Sequence, residues 1–219
     1  MATVLSHQQA RRAYDRIGSK QDSQAFYEDR ATNVLLQHGD FGSAEAVFEF
    51  GFGTGRFALR LLTEYLPPSA CYRGVDISPK MVSIAQARLA SYSPRAQLIL
   101  TEGGPPVHEP PESCDRFVSN YVLDLLSEED IRSVLAEAYR MLRPGGLLCL
   151  AGLSTGVGPL SRTVAGILSW IQAHRPSIVG GCRPIDLLPF LPASVWNVRH
   201  HEKLVAFGIT SEALVAERG

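Results

Sequence analysis

The stretch VFEFGFGTG, residues 47–55, places Gly51, Gly53 and Gly55 behind an apolar run and ahead of RFALRLL. Glycines at such a junction let the main chain turn tightly and let a ligand lie close to backbone amides. A dinucleotide fingerprint, G-x-G-x-x-G, counted from Gly51 would need glycine at position 56, where Arg56 stands. That spacing argues against a nicotinamide oxidoreductase. Glu49 stands just before the loop, and Asp76 ends the next apolar run, YRGVD. A carboxylate there can accept both hydroxyls of a ribose. Its competing role, capping the helix that follows, is already served by Ser78. Tyr14, Tyr121, Asp124 and the histidines are the candidate proton acceptors. His7, His38, His108, His174, His200 and His201 show no metal-ligand spacing, and Cys71, Cys114, Cys149 and Cys182 include no C-x-x-C pair. No metal site is expected. His174 stands out as a possible substrate contact.

These groups need a scaffold. Apolar runs at 46–50, 71–77, 96–100, 114–121 and 146–153 alternate mostly with helical patterns. That rhythm predicts an α/β three-layer sandwich with a mostly parallel sheet. Ser78-Pro79 and Ser127 mark helix starts, and Pro67-Pro68 and Arg143-Pro144-Gly145-Gly146 mark helix ends. The core helix before the last strands is placed at 184–191. Strands at 196–207 and 211–217 have so short a connection that they must be antiparallel. Within the first of them, His200 and His201 point to opposite faces. Two helices, at about 6–17 and 23–38, precede the first strand.

The chain has 219 residues, 45% hydrophobic and 20% charged, with formal net charge −1. It reads as a single domain, 1–219: a helical cap (1–43), a core (44–153), an insertion (154–183) and a final helix with hairpin (184–219). The charge offers no global attraction to nucleic acid or an anionic surface. No apolar run is long enough to span a bilayer, and MATVLSHQQARR lacks a signal layout, so a cytoplasmic location is expected. Oligomeric state is not legible.

Together, VFEFGFGTGRFA, GVDISPKM, CDRFVSNYVLDLL and YRMLRPGGLL closely resemble the class I S-adenosylmethionine-dependent methyltransferases. The nearest likeness is to the small-molecule branch that includes quinone-biosynthesis and phosphatidylethanolamine N-methyltransferases. It covers about residues 45–155, and the closing hairpin agrees with the seven-stranded Rossmann-like fold of that class. The resemblance implies S-adenosyl-L-methionine as cofactor, with Glu49, Gly51, Gly53 and Gly55 around its methionine part. It implies Asp76 on the ribose, Ile77 packed on the adenine with Met81 nearby, and Glu102 at the adenine amine. Gly103-Gly104-Pro105-Pro106 departs from the family pattern after Glu102. Asn120 and Tyr121 are implied to face the sulfonium and the incoming acceptor.

Methyl transfer from a sulfonium is an in-line displacement with a neutral leaving group, so alignment and exclusion of water matter most. A base is needed only for a protonated nucleophile; Tyr121 and Asp124 are the catalytic candidates. Residues 154–183 leave the fifth strand at the ligand-binding edge and carry Leu160, Val164, Ile167, Leu168 and Ile171 on one helical stripe. With the N-terminal helices they are expected to form an apolar lid over an acceptor that is itself partly apolar. Tyr14, His174 and Arg183 are the expected substrate contacts. Arg183 has two readings: a phosphate or carboxylate partner on the acceptor, or a pair with Asp186. The alternatives to a small-molecule methyltransferase are a non-catalytic cofactor-binding partner and a nucleic-acid methyltransferase. The latter is disfavoured by Ser119-Asn120-Tyr121-Val122, which lacks paired prolines.

Overall fold

The structure, a computed structural model, describes residues 4–105, 107–174 and 181–219. Its strands are β1 (Ala46–Phe50), β2 (Cys71–Asp76), β3 (Ala96–Leu100), β4 (Cys114–Asn120), β5 (Leu142–Leu153), β6 (Trp196–Ala206) and β7 (Ile209–Arg218). They form one seven-stranded sheet in the order β3-β2-β1-β4-β5-β7-β6. The first five are parallel, while β7 runs antiparallel to both β5 and β6. The order reverses between β1 and β4, which opens a crevice at their carboxyl ends, where this architecture binds ligands.

Helices α1 (His7–Ile17), α2 (Ala25–His38), α3 (Arg56–Arg60), α4 (Pro79–Arg88), α5 (Glu128–Met141) and α6 (Pro159–His174) fill the outer layers. Local signals set most of their ends. Ser78 Oγ accepts from Met81 N at 3.1 Å and Ser127 Oγ from Asp130 N at 3.0 Å. Ser6 and Gln9 form a capping box at the start of α1. α3 continues as a wider π-turn, Leu61–Tyr65, and stops before Pro67.

Side-chain alternation along the buried strands feeds two apolar clusters, one per sheet face. Val118 joins Leu35, Phe41 and Leu61 under α2 and α3, while its neighbour Phe117 joins Ile131, Val134 and Leu148 under α5. The final hairpin turns through Phe207 and Gly208, at φ 52° and 83°. A two-residue connection of this kind matches the twist of antiparallel strands.

Two expectations are corrected. Residues 184–191 are not a helix and hold only a single 3-10 turn, Leu188–Phe190. The amides a helix would need are engaged elsewhere: Ile185 N donates to Leu153 O at 3.0 Å and Leu187 N to a Glu212 carboxylate oxygen at 2.8 Å. Pro189 offers no amide at all. The apolar stripe of α6 is only partly inward, with Val164, Leu168 and Ile171 half-buried. Ser161 and Gln172 are buried, whereas Leu160 and Ile167 are 73% and 53% exposed.

Candidate functional site

The glycine loop after β1 holds Gly51, Gly53 and Gly55 at φ 80°, 55° and 75°, all left-handed. Their surroundings separate their roles. A Cβ on Gly51 would lie 2.3 Å from Val122 Cγ2, and one on Gly55 would lie 3.0 Å from the Ala85 Cβ. A Cβ on Gly53 would meet nothing within 4 Å. Gly53 thus opens onto the cleft. Gly55 serves the close approach of α3 to α4 and is not among the residues lining the cleft.

Asp76 ends β2 and is 9% exposed. One carboxylate oxygen accepts from Gly53 N and the other from Ser78 N, each at 2.8 Å. Asp76 is therefore fixed between the loop and the start of α4, while Ser78 caps that helix. Burial raises its pKa to about 6. Glu49, buried at the end of β1, accepts from Tyr72 Oη at 2.6 Å and from Asn120 Nδ2 at 3.3 Å. Burial pushes its pKa to about 7. Asn120 Oδ1 is buried with no hydrogen-bond partner among the described residues. An orphaned acceptor beside a carboxylate, facing a cleft, suits a ligand bearing an amine.

The cleft contains about 1240 Å³ of empty space including its open mouth. The glycine loop, Asp76, Ile77, Asn120 and Tyr121 form one wall, and Leu5, His7, Ala10 and Tyr14 at the N-terminal end form the cover. Met81 is fully buried in the core and Glu102 is exposed, so neither lines the cleft. At the expected Glu102 position the wall is made by His7. Gly103 and Gly104, at φ 96° and 72°, leave room for its imidazole. A Cβ on Gly104 would lie 2.7 Å from His7 Cε1, and one on Gly103 would lie 2.5 Å from Ile77 Cδ1. Nothing in the sequence around His7 singles it out from the other five histidines as a cleft residue. The paired glycines were the available signal, but their partner is almost a hundred positions away.

Three carboxylates at seven-residue intervals fasten the N-terminal segment to this wall. Asp15 accepts from Ser78 Oγ at 2.6 Å. Asp22 accepts from Thr54 Oγ1 at 2.5 Å and from Arg88 Nη2 at 2.6 Å. Asp29 pairs with Arg56. The cover is therefore tied to the residues of the glycine loop and of α4.

At the other end of the cleft, Tyr121 adopts φ 55° and donates its hydroxyl to Ser211 Oγ at 2.8 Å. Its ring stands edge-on to Tyr27, with centroids 5.7 Å apart. The hydroxyl is thus committed to β7, and burial raises its pKa, so the ring forms wall and the oxygen is a poor base. Asp124 is fully buried behind Leu125 and Leu126, which line the cleft; it does not line it itself. Both its carboxylate oxygens lack a hydrogen-bond partner among the described residues, and burial raises its pKa to about 7. Tyr14 faces the cleft, with Cys182 and Asp124 close enough to add to the upward shift that burial gives its hydroxyl.

Arg183 does not pair with Asp186. Its backbone amide donates to Asp124 O at 3.1 Å and its guanidinium to Leu126 O, behind the cleft wall. Asp186 instead accepts from Lys203 Nζ at 2.7 Å and Thr155 Oγ1 at 2.6 Å. His174 is exposed at the end of α6, with its Nδ1 2.9 Å from Trp170 O, and lies outside the cleft. α6 does not line the cleft, which corrects its expected part in the lid, whereas at the return of the insertion a Gly181 Cβ would lie 2.7 Å from Leu5 Cδ1 and 3.7 Å from Leu125 Cδ2, both of which line it; 175–180 lie outside the described residues. The reason is the sheet order: α6 packs on β7, two strands beyond the β1–β4 crevice. Among the described residues no cluster of His, Cys, Asp or Glu could hold a metal, and no helix is long and apolar enough to cross a membrane.

Residues 47–146 match the methyltransferase-domain family. The chain is 29% identical over 176 residues to a malonyl-[acyl-carrier protein] O-methyltransferase of Marinomonas sp. (strain MWYL1), covering 79% of this chain and 63% of that protein. It is 32% identical over 118 residues to a carboxy-S-adenosyl-L-methionine synthase of Chromohalobacter salexigens, covering 54% and 43%. The chain thus spans less than two thirds of the length of these relatives. Geranyl diphosphate methyltransferase, solved in complex with S-adenosylmethionine, shares the fold at TM-score 0.66 and 14% identity, over 88% of this chain and 86% of that one.

Proposed function

We propose, for a chain whose residues 47–146 match the methyltransferase-domain family, that it binds S-adenosylmethionine and transfers the methyl group to a small molecule with apolar surface. The observation that carries this reading is the pairing of Asp76 with Gly53. A buried carboxylate is oriented by the Gly53 amide at 2.8 Å, and the same glycine leaves its Cβ side open to the cleft. The pairing supports a ligand that presents hydroxyls to Asp76 and lies along the loop.

When bound, S-adenosylmethionine supplies a methyl already activated on a sulfonium. This chain's residues align and enclose. Asp76 would accept the ribose hydroxyls, and Ile77 and His7, which line the same part of the cleft, would hold the base. Glu49 and Asn120 Oδ1 receive the amine end. Tyr121 and Tyr14 border the space left for the acceptor, together with Leu125 and Leu126, whose apolar side chains favour an acceptor of like surface. The cover formed by α1 keeps water out.

Calorimetry tests the reading. S-adenosylhomocysteine should bind the wild type and lose affinity in Asp76→Ala, while NAD should bind neither. Undiminished affinity in the variant, or comparable NAD binding, would overturn the assignment. Release of S-adenosylhomocysteine from S-adenosylmethionine, screened over a panel of acceptors, then identifies the substrate.

A further inference from the structure

We propose that α6 and the neighbouring hairpin tip form a surface that docks on an anionic lipid bilayer. This does not rest on the methyl-transfer reading. α6 sits on the domain through Ser161, Ala165, Leu168 and Gln172, a stripe of mostly small or polar residues. Val164, Leu168 and Ile171 are half-buried, whereas its other large apolar side chains face outward: Leu160 is 73%, Ile167 53% and Trp170 64% exposed. Val164 closes over the hairpin turn, 3.1 Å from where a Gly208 Cβ would lie. Next to Gly208, Phe207 is 81% exposed, and its ring lies 5.6 Å from that of Phe26, itself 54% exposed. An apolar strip therefore runs from Phe26 across the hairpin tip and along α6. Contiguous exposed apolar surface of this kind marks an interaction site.

Charge and shape select the occupant. The described residues of α6 (159–174) and of the hairpin turn (205–210) contain no Asp or Glu. Arg162 is exposed on α6. Arg30 flanks the hairpin, donating to Val205 O at 2.8 Å. The adjoining Asp186 is neutralised by Lys203 at 2.7 Å. The face therefore complements negative charge. A second copy of the same face would oppose cation to cation. The apolar groups also project from a helix and a hairpin tip rather than lining a groove. A protein helix seats in a groove, whereas a bilayer interface receives protruding aromatic and aliphatic side chains between its headgroups, held by nearby cations.

The test uses the full chain with vesicles of phosphatidylcholine alone and of phosphatidylcholine mixed with phosphatidylglycerol. Co-sedimentation with the mixed vesicles only, weakening as salt is added, is expected. Trp170 emission should shift to the blue on binding, since Trp196 is buried against Tyr139 and contributes a constant background. The double variant Leu160→Gln/Ile167→Gln should weaken binding at least about tenfold, and Arg162→Gln about fivefold. Circular dichroism of both variants should match the wild type, because the substituted side chains are exposed. Equal binding to both vesicles, or unchanged binding by the double variant, would overturn the proposal. A wild-type dimer that the double variant dissolves would overturn it by making the face a self-interface. A monomer that binds neither vesicle would overturn it and leave an acidic protein as the occupant.

Discussion

Gly53→Ala separates the cost of a strained backbone from the loss of cofactor space. Gly53 holds φ 55°, and its Cβ would touch no protein atom within 4 Å. The folded chain should therefore pay only the left-handed strain of a residue with a Cβ, about 1 kcal/mol. For a domain of this size that is a fall of about 2–4 °C in Tm. The methyl group would, however, stand in the cleft beside the Asp76 carboxylate. At S-adenosylhomocysteine a hundredfold above its Kd, the wild type should gain about 2.7 kcal/mol; the variant should lose most of that gain. Gly55→Ala is the matched control. It carries similar strain, at φ 75°, and adds a 3.0 Å contact with the Ala85 Cβ, but it does not line the cleft. Its Tm should fall further, because overpacking adds about 1–3 kcal/mol, while its ligand-induced gain survives. Thermal denaturation of the three proteins with and without S-adenosylhomocysteine reads both quantities. A Gly53→Ala variant that keeps the full ligand-induced gain would refute the assignment of its open face to the cofactor.

Other expectations follow from buried carboxylates and from the N-terminal fastenings. Burial holds the Asp76 pKa at about 6, and the ionised form is the better acceptor; S-adenosylhomocysteine affinity should decline as pH falls through 6, and Asp76→Asn should flatten that profile in calorimetry. For Asp124, burial raises the pKa from 3.8 to about 7. Its folded-state contribution is therefore fully present below about pH 4 and lost as pH rises through 7. At 1.36 kcal/mol per unit the upper bound is about 4 kcal/mol. Urea denaturation should find Asp124→Asn gaining on the wild type between pH 4 and pH 8, and parallel curves would mean that Asp124 ionises freely. Asp22→Ala removes the bonds to Thr54 and Arg88, at a cost of about 1–3 kcal/mol. Amide exchange in residues 7–24 should accelerate and cofactor affinity should fall, whereas unchanged exchange would show that the cover is held by packing alone.

Much of this was legible along the chain because its causes are local. Alternating apolar runs and helical patterns predicted the sheet and its crossovers. Ser78-Pro79, Ser127 and Pro67-Pro68 marked helix ends, and the short link between the last two strands required the antiparallel pair that the structure contains. Glu49, the glycine loop and Asp76 could be picked out because strand ends in this architecture converge on one edge. What only the tertiary structure decided involves partners distant in sequence. Gly103-Gly104 makes room for His7, while Asp15, Asp22 and Asp29 find Ser78, Thr54, Arg88 and Arg56 only after the N-terminal segment folds across the loop. Residues 184–191 have a helical pattern, yet Glu212 and Leu153 capture the amides a helix would use. Asp124 follows strand four as expected, but packing puts Leu125 and Leu126 between it and the cleft. The stripe on α6 makes the general point. Periodicity shows that apolar side chains share a helical face, but the contacts available on β7 determine how that face is tilted, leaving Val164, Leu168 and Ile171 half-buried and Leu160 and Ile167 outward.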